Sequence, residues 1–147
     1  MATTAIATSQ PQPIERIDYR RLVWVAPLAA AVAAVANVAL YFIADALGAF
    51  PDTVRLPNGQ ALGPAPVIGV TIMGVVAAAI VFAVLGRFSA RPIRLFRIVA
   101  LVALVLSFAP TFGIPGAGAA YIGSLLLMHV IAALAAVGFF TTLARKA

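Results

Sequence analysis

Asn37, Tyr41 and Asp45 recur every four residues, a spacing that aligns them along one face of an α-helix. Thr71, Ser107, Ser124 and the single histidine, His129, stand elsewhere in otherwise apolar runs. These are the side chains whose types could do chemistry. An amide, a phenol, a carboxylate and an imidazole brought together could hold a small polar ligand or relay a proton, and an ionisable residue within a membrane span marks such a site by default. The same residue types also tie membrane helices together, at about 0.6 to 2 kcal/mol per hydrogen bond, and the residues favour this plainer reading. No metal and no cofactor is expected. Zinc takes three or four protein ligands and a bis-histidine haem needs a second histidine, whereas this chain has one His and no Cys.

Catalysis has little to build on. A serine in a nucleophile elbow, an HExxH pair, a Gly-rich phosphate loop followed by lysine and a carboxylate pair inside the membrane are all missing. Gly113, Gly116 and Gly118 match no phosphate-binding pattern, so a non-enzymatic protein is expected. The lack of cysteine removes disulfides and thiol redox chemistry, and with them the four-helix membrane thiol oxidoreductases.

The elements that must position the polar residues are apolar runs: Leu22 to Leu47, Pro66 to Leu85, Leu95 to Phe108 and Tyr121 to Leu143. Crossing a hydrocarbon core of about 30 Å takes roughly 20 helical residues. The third run reaches that length only if its helix starts at Pro92, a residue favoured at the first helical position. A soluble helical protein would show amphipathic stripes with polar outer faces, and these runs have none. The expectation is an all-α integral membrane four-helix bundle with spans near 22–47, 66–86, 92–109 and 120–143, making one membrane domain over 18–147. The 26 residues of the first run exceed the roughly 7 to 15 of a signal peptide, so it reads as a retained span. Asp18 is an acceptable N-cap for it, and Pro27 should kink it. Residues 1–17 read as a disordered cytoplasmic tail, Met1 to Pro13 being rich in Ala, Thr, Gln and Pro without periodicity.

Charge sets the orientation. Arg16, Arg20 and Arg21 precede the first run, Arg87, Arg91, Arg94 and Arg97 separate the second and third, and Arg145 and Lys146 follow the fourth. The remaining basic residue, Arg55, shares an intervening loop with Asp52. By the positive-inside rule the three basic segments and both termini are cytoplasmic, in a multi-pass protein of the cell membrane. The formal net charge of +6 is accounted for by orientation and by anionic lipid headgroups, at about 1 kcal/mol per basic residue. Arg20, Arg21, Arg87, Arg91, Arg94, Arg97, Arg145 and Lys146 are the headgroup contacts, membrane lipids the partner, and nucleic acid is not expected. In the outer loop Gly48 to Ala65, Asn58-Gly59 between Thr53–Pro57 and Gln60–Leu62 favours a small β-hairpin, with an irregular loop as the alternative because Pro57 cannot donate to a ladder. Pro110 to Ala120 is a turn-rich connector.

Faces and depth then bring the polar residues together. Ala26, Ala30, Ala33 and Ala34 continue the Asn37 face; Thr71 shares one with Gly74 and Ala78, and His129 one with Ala132, Ala133 and Ala136. Small residues let membrane helices approach closely, so these faces should look inward. At about 1.5 Å per residue Asn37 lies roughly 15 Å and His129 roughly 12 Å from the outer ends of their spans, which would permit a contact if those helices are neighbours. Asn37, Tyr41, Asp45, Thr71, Ser107, Ser124 and His129 would then line a polar outer vestibule.

Ala26-Pro27-Leu28 leading into Asn37, Arg94-Leu95-Phe96-Arg97, Ser107 and Leu127-Met128-His129 resemble a family of uncharacterised four-span bacterial membrane proteins, a domain of unknown function, over nearly all of Leu22 to Arg145. The resemblance implies the four-helix topology and that Asn37 and His129 match the family's polar positions; it implies no activity. Two roles compete: a structural or accessory subunit, or binder of a small apolar ligand, acting through packing; and an oligomeric transport or channel component using the vestibule. A homo-oligomer or a larger membrane complex suits either.

Orientation can be checked by labelling. Because inversion would translocate nine basic residues, a thiol at Asn58→Cys should react with an impermeant reagent added outside and one at Ser89→Cys should not. The opposite pattern would reverse the orientation.

Overall fold

The first helix begins at the cap the sequence offers. In the computed structural model, which describes residues 15–146, α1 spans Tyr19–Ala46. The Asp18 carboxylate accepts from the Arg20 and Arg21 amides at 3.1 and 3.2 Å, satisfying two orphan N–H groups at the positive end of the helix dipole. The helix continues through Pro27, so the expected kink does not interrupt it. Helices α2 (Pro64–Phe88) and α3 (Pro92–Phe112) both open on proline in the first turn, where the missing N–H costs nothing; α4 spans Ala119–Leu143. The boundaries fall within three residues of those expected. The shortest helix, α3, has 21 residues, about 32 Å of rise. All four are long and apolar enough to cross a membrane, with mean hydropathy from 2.1 to 2.7, and the chain is a multi-pass membrane protein.

Helix α1 packs chiefly on α4 and α2, while α3 covers α2 and α4 from the other side and does not touch α1 among the described residues. The α1 seam is Val25, Ala29, Ala30, Ala33, Ala34, Asn37, Tyr41 and Ala44, all buried. Two apolar layers fill the bundle. Toward the basic end Phe82, Phe96 and Phe140 meet with ring centroids 4.8 to 6.0 Å apart, in one apolar cluster with Ala29, Ala30 and Ala33 of α1. Toward the other end Tyr41, Phe50, Tyr121, Val67 and Met128 form the second layer. Two inward faces differ from expectation. On α2 the buried line is Val67, Thr71, Val75 and Phe82, with Gly74 exposed. On α4 it is Tyr121, Met128, Ala136 and Phe140, which leaves His129 half-buried at the edge of the face. Bulk decided both: aromatic and large aliphatic groups fill the space between helices that are not in closest contact.

Residues 1–14 of the expected tail lie outside the described residues. Its last three fold onto the bundle. Glu15 accepts from the Ile93 and Arg94 amides at 2.8 and 3.3 Å, capping α3, whose own N-cap residue, Arg91, makes no side-chain cap. Ile17 forms an antiparallel bridge with Arg145, flanked by Asp18 N–H to the Ala144 carbonyl at 2.8 Å and Lys146 N–H to the Arg16 carbonyl at 2.9 Å. Ile17 itself is buried in the core. These contacts place both ends of the described chain and all three basic segments at one end of the bundle.

At the other end α1 finishes in a Schellman turn: Gly48 takes φ +76°, its N–H reaches the Asp45 carbonyl at 2.8 Å, and Ala49 N–H reaches Ala44 at 2.9 Å. The chain thereby folds back and delivers Phe50 into the outer layer. The expected β-hairpin forms no strand among the described residues. Gly59 N–H and Leu56 N–H bond the Leu56 and Gln60 carbonyls respectively, both at 2.8 Å, but of the two central residues only Gly59 has positive φ, +79°. The turn is therefore type I followed by a left-handed glycine, with Pro57 at the position its fixed φ favours; without an N–H, Pro57 cannot extend a ladder.

Gly86 of α2 supplies the seat for the N-terminal brace, since a Cβ there would overlap the Ile17 Cδ1 atom and approach the Tyr19 hydroxyl to 2.9 Å. Gly86→Leu should therefore lower stability by about 1 to 3 kcal/mol through overpacking. Gly138→Ala on α4, with nothing near its Cβ position, should stay within about 0.5 kcal/mol. Thermal unfolding in detergent followed by helical circular dichroism compares them; equal effects would show that the seat does not matter.

Candidate functional site

Asn37 sits about two thirds of the way along α1, where α2 and α4 both press against the alanine seam. Its amide donates to the Thr71 hydroxyl oxygen at 3.0 Å and to the Met128 carbonyl at 3.2 Å. One side chain thus joins three helices, and it is 1 % exposed. Its own carbonyl oxygen is buried without a partner, a state that costs about 1 to 3 kcal/mol and that the two donated bonds offset. Asn37 meets α4 at Met128, one residue from His129, and does not touch the His129 ring. The His129 ring nitrogen Nδ1 lies 2.7 Å from the Leu125 carbonyl of its own helix, and its ring meets Phe108 edge-on at 6.4 Å. A helix rotates each successive side chain by about 100°, so the backbone of Met128 faces α1 while the next side chain points toward α3.

The seven polar residues consequently do not form one vestibule. Ser107 donates to the Leu104 carbonyl at 2.6 Å and Ser124 to the Ala120 carbonyl at 2.8 Å, each within its own helix, as hydroxyls in membrane helices commonly do. Asn37 and Thr71 form a buried crossbar. Tyr41 and Asp45 line a small cavity beneath the loop between α1 and α2 instead. There the Tyr41 hydroxyl donates to the Leu62 carbonyl at 3.4 Å, and its ring stacks on Phe50 at 5.2 Å, which in turn meets Tyr121 edge-on at 5.1 Å. Asp45 is exposed.

Sequence reasoning missed Tyr121, Phe50 and Asp52. Tyr121 is 1 % exposed with a buried hydroxyl that has no hydrogen-bond partner, and Asp52 lines the same cavity. The available signal for Tyr121 was its spacing of seven residues from Met128, two helical turns on one face. Phe50 and Asp52 carried no such signal, because a loop has no periodicity. At the opposite end all eight expected headgroup residues are exposed, and Arg97 donates to the Thr141 hydroxyl oxygen at 3.5 Å.

This arrangement can brace helices and bind at its ends; it converges no nucleophile with a base among the described residues. A family model, described as a family of unknown function (DUF6069), matches residues 18–146, and the chain belongs to that family. No curated protein and no solved structure matches it.

Since Asn37 and His129 share no partner, their contributions should be independent. Asn37→Leu should cost about 1 to 2 kcal/mol and His129→Leu under about 1 kcal/mol, and the double variant should equal their sum within about 0.5 kcal/mol. Thermal unfolding of the single and double variants measures this. A coupling above about 1 kcal/mol would restore the direct contact between them.

Proposed function

We propose that this member of the family is a non-enzymatic protein of a bacterial cytoplasmic membrane, with both termini in the cytoplasm, that works through packing as a small structural or accessory subunit. The observation that carries the reading is the Asn37 crossbar. The most deeply placed polar side chain gives both amide hydrogens to neighbouring helices, and the half-buried histidine bonds its own backbone, so the interior polar groups act as fasteners.

The outward surface supports a role in assembly. Helix α3 buries only Pro92, Phe96 and Thr111 and presents Leu101, Val102, Val105 and Leu106 outward, each more than half exposed. Lipid chains satisfy such a face, and so does another membrane helix. Attachment of a small rigid bundle along α3 would leave the α1 seam intact, since α1 and α3 do not touch. The alternative roles, a binder of a small apolar ligand or an oligomeric transport component, call for an open interior that the crossbar works against.

A photo-reactive residue at Val105 tests the proposal in native membranes. The expected product is one discrete adduct with a foreign membrane polypeptide, also retained when the untreated protein is purified in mild detergent and weighed. Adducts with lipid alone would sink the subunit reading, and a dimer of this chain would favour the oligomeric alternative.

A further inference from the structure

The basic end of the bundle carries more positive charge than the chain itself answers. Of the four acidic residues, Glu15 accepts from the Ile93 and Arg94 amides of α3 and Asp18 caps α1, while Asp45 and Asp52 stand at the opposite end, at the cavity beneath the loop between α1 and α2. The one ion pair among the described residues joins Arg21 to Asp18. Most of the unanswered basic residues stand at helix ends or in loops, where water and salt screen them. Arg97 does not. It lies in the second turn of α3, and a hydrocarbon core of about 30 Å takes up nearly the whole rise of that helix. Leu95 and Ile98 beside it are apolar and exposed, so Arg97 leaves the backbone at the level where acyl chains begin.

The side chain is also held in place. A helical side chain leans toward the N-terminus of its own helix, here the basic end, and the Arg97 guanidinium donates to the Thr141 hydroxyl oxygen of α4 at 3.5 Å. Thr141 is buried and gives its own proton to the Val137 carbonyl at 2.8 Å, so toward Arg97 its oxygen can only accept. That neutral oxygen takes one donor of the guanidinium and leaves the charge and the other donors free. Arg94, three residues earlier and on the same side of α3, is exposed and makes no ion pair. Two such groups at the edge of the apolar layer call for an anion that resides there, and a lipid phosphate does; its oxygens match the guanidinium fork bidentately, and basic pockets between membrane helices take such headgroups. A zwitterionic lipid brings its own cation, so the net charge of the pair favours an anionic one. We propose that the notch between α3 and α4 at the basic end binds the phosphodiester of one anionic phospholipid through Arg97 and Arg94, with Thr141 as the positioning residue. The bound lipid ties α3, which buries only Pro92, Phe96 and Thr111, to α4. This inference goes beyond the accessory-subunit reading and stands whether or not α3 meets another polypeptide.

Native mass spectrometry tests this on the full chain, delipidated in mild detergent and titrated with phosphatidylglycerol or phosphatidylcholine of the same acyl chains. One phosphatidylglycerol should bind about fivefold or more tighter than phosphatidylcholine, the equivalent of one basic residue at a headgroup. Arg97→Gln should weaken that adduct about tenfold or more through the loss of charge-assisted hydrogen bonds, and Arg97→Lys, which keeps the charge without the fork, should fall between it and the wild type. Thr141→Val should weaken the adduct about threefold, the equivalent of one neutral hydrogen bond, with Thr141→Ser restoring it. Arg20→Gln on α1, which α3 does not touch, should change it less than about twofold. Equal binding of the two lipids, equal losses from Arg97→Gln and Arg20→Gln, as diffuse surface charge would give, or displacement of the lipid by millimolar inorganic phosphate would overturn the proposal. Should Arg97→Gln fail to fold, the wild-type protein decides: phosphatidylglycerol must raise its Tm above that in phosphatidylcholine, because a ligand of the folded state stabilises by mass action, and an equal Tm in both overturns the site.

Discussion

The seam of α1 is the constraint on which the rest of the bundle depends. Inside a bilayer, burying apolar surface yields no advantage over leaving it in lipid, so helices associate through close contact and hydrogen bonds. Ala29, Ala30, Ala33 and Ala34 remove bulk from one face of α1, and two neighbours, α2 and α4, settle against it. That approach brings the Thr71 hydroxyl and the Met128 carbonyl within reach of a single asparagine amide. Without the small residues the crossbar would not close; without the crossbar the middle of the seam would be held by dispersion, the other α1–α2 hydrogen bond, from the Tyr19 hydroxyl to the Ala83 carbonyl, lying at the basic end.

The two ends are fastened by different means, each suited to its surroundings. At the basic end a short N-terminal segment reaches the three other helices: Glu15 at α3, Ile17 against Gly86 of α2, and backbone bonds to the end of α4. Its fastening is largely backbone hydrogen bonds and one buried side chain, which leaves the arginines exposed. At the opposite end the Schellman turn at Gly48 sends the loop back over the bundle, and Phe50 locks between Tyr41 and Tyr121. The exposed apolar belt between these ends is wide, with only 11 % of the central window buried in α3 and in α4. A soluble protein could not carry such a surface, and a membrane protein is expected to.

The sequence alone determined what a one-dimensional pattern can encode. Run length and hydropathy marked the four helices, Asp18 and Pro92 marked starts, and the arginines marked the segments that share one end. The level of Asn37 followed from counting residues at a fixed rise. Tertiary structure decided everything that depends on which helix lies beside which and at what rotation. Separation of α1 from α3 removed Ser107 from the polar group, and rotation of α4 substituted the Met128 carbonyl for the His129 ring. Backbone acceptors are invisible to any search for polar side chains, since every residue carries one. The meeting of Asp45, Asp52 and Tyr121 was hidden for a related reason: it joins a helix end, a loop and the start of another helix, and no periodicity connects positions that only the folded chain brings together.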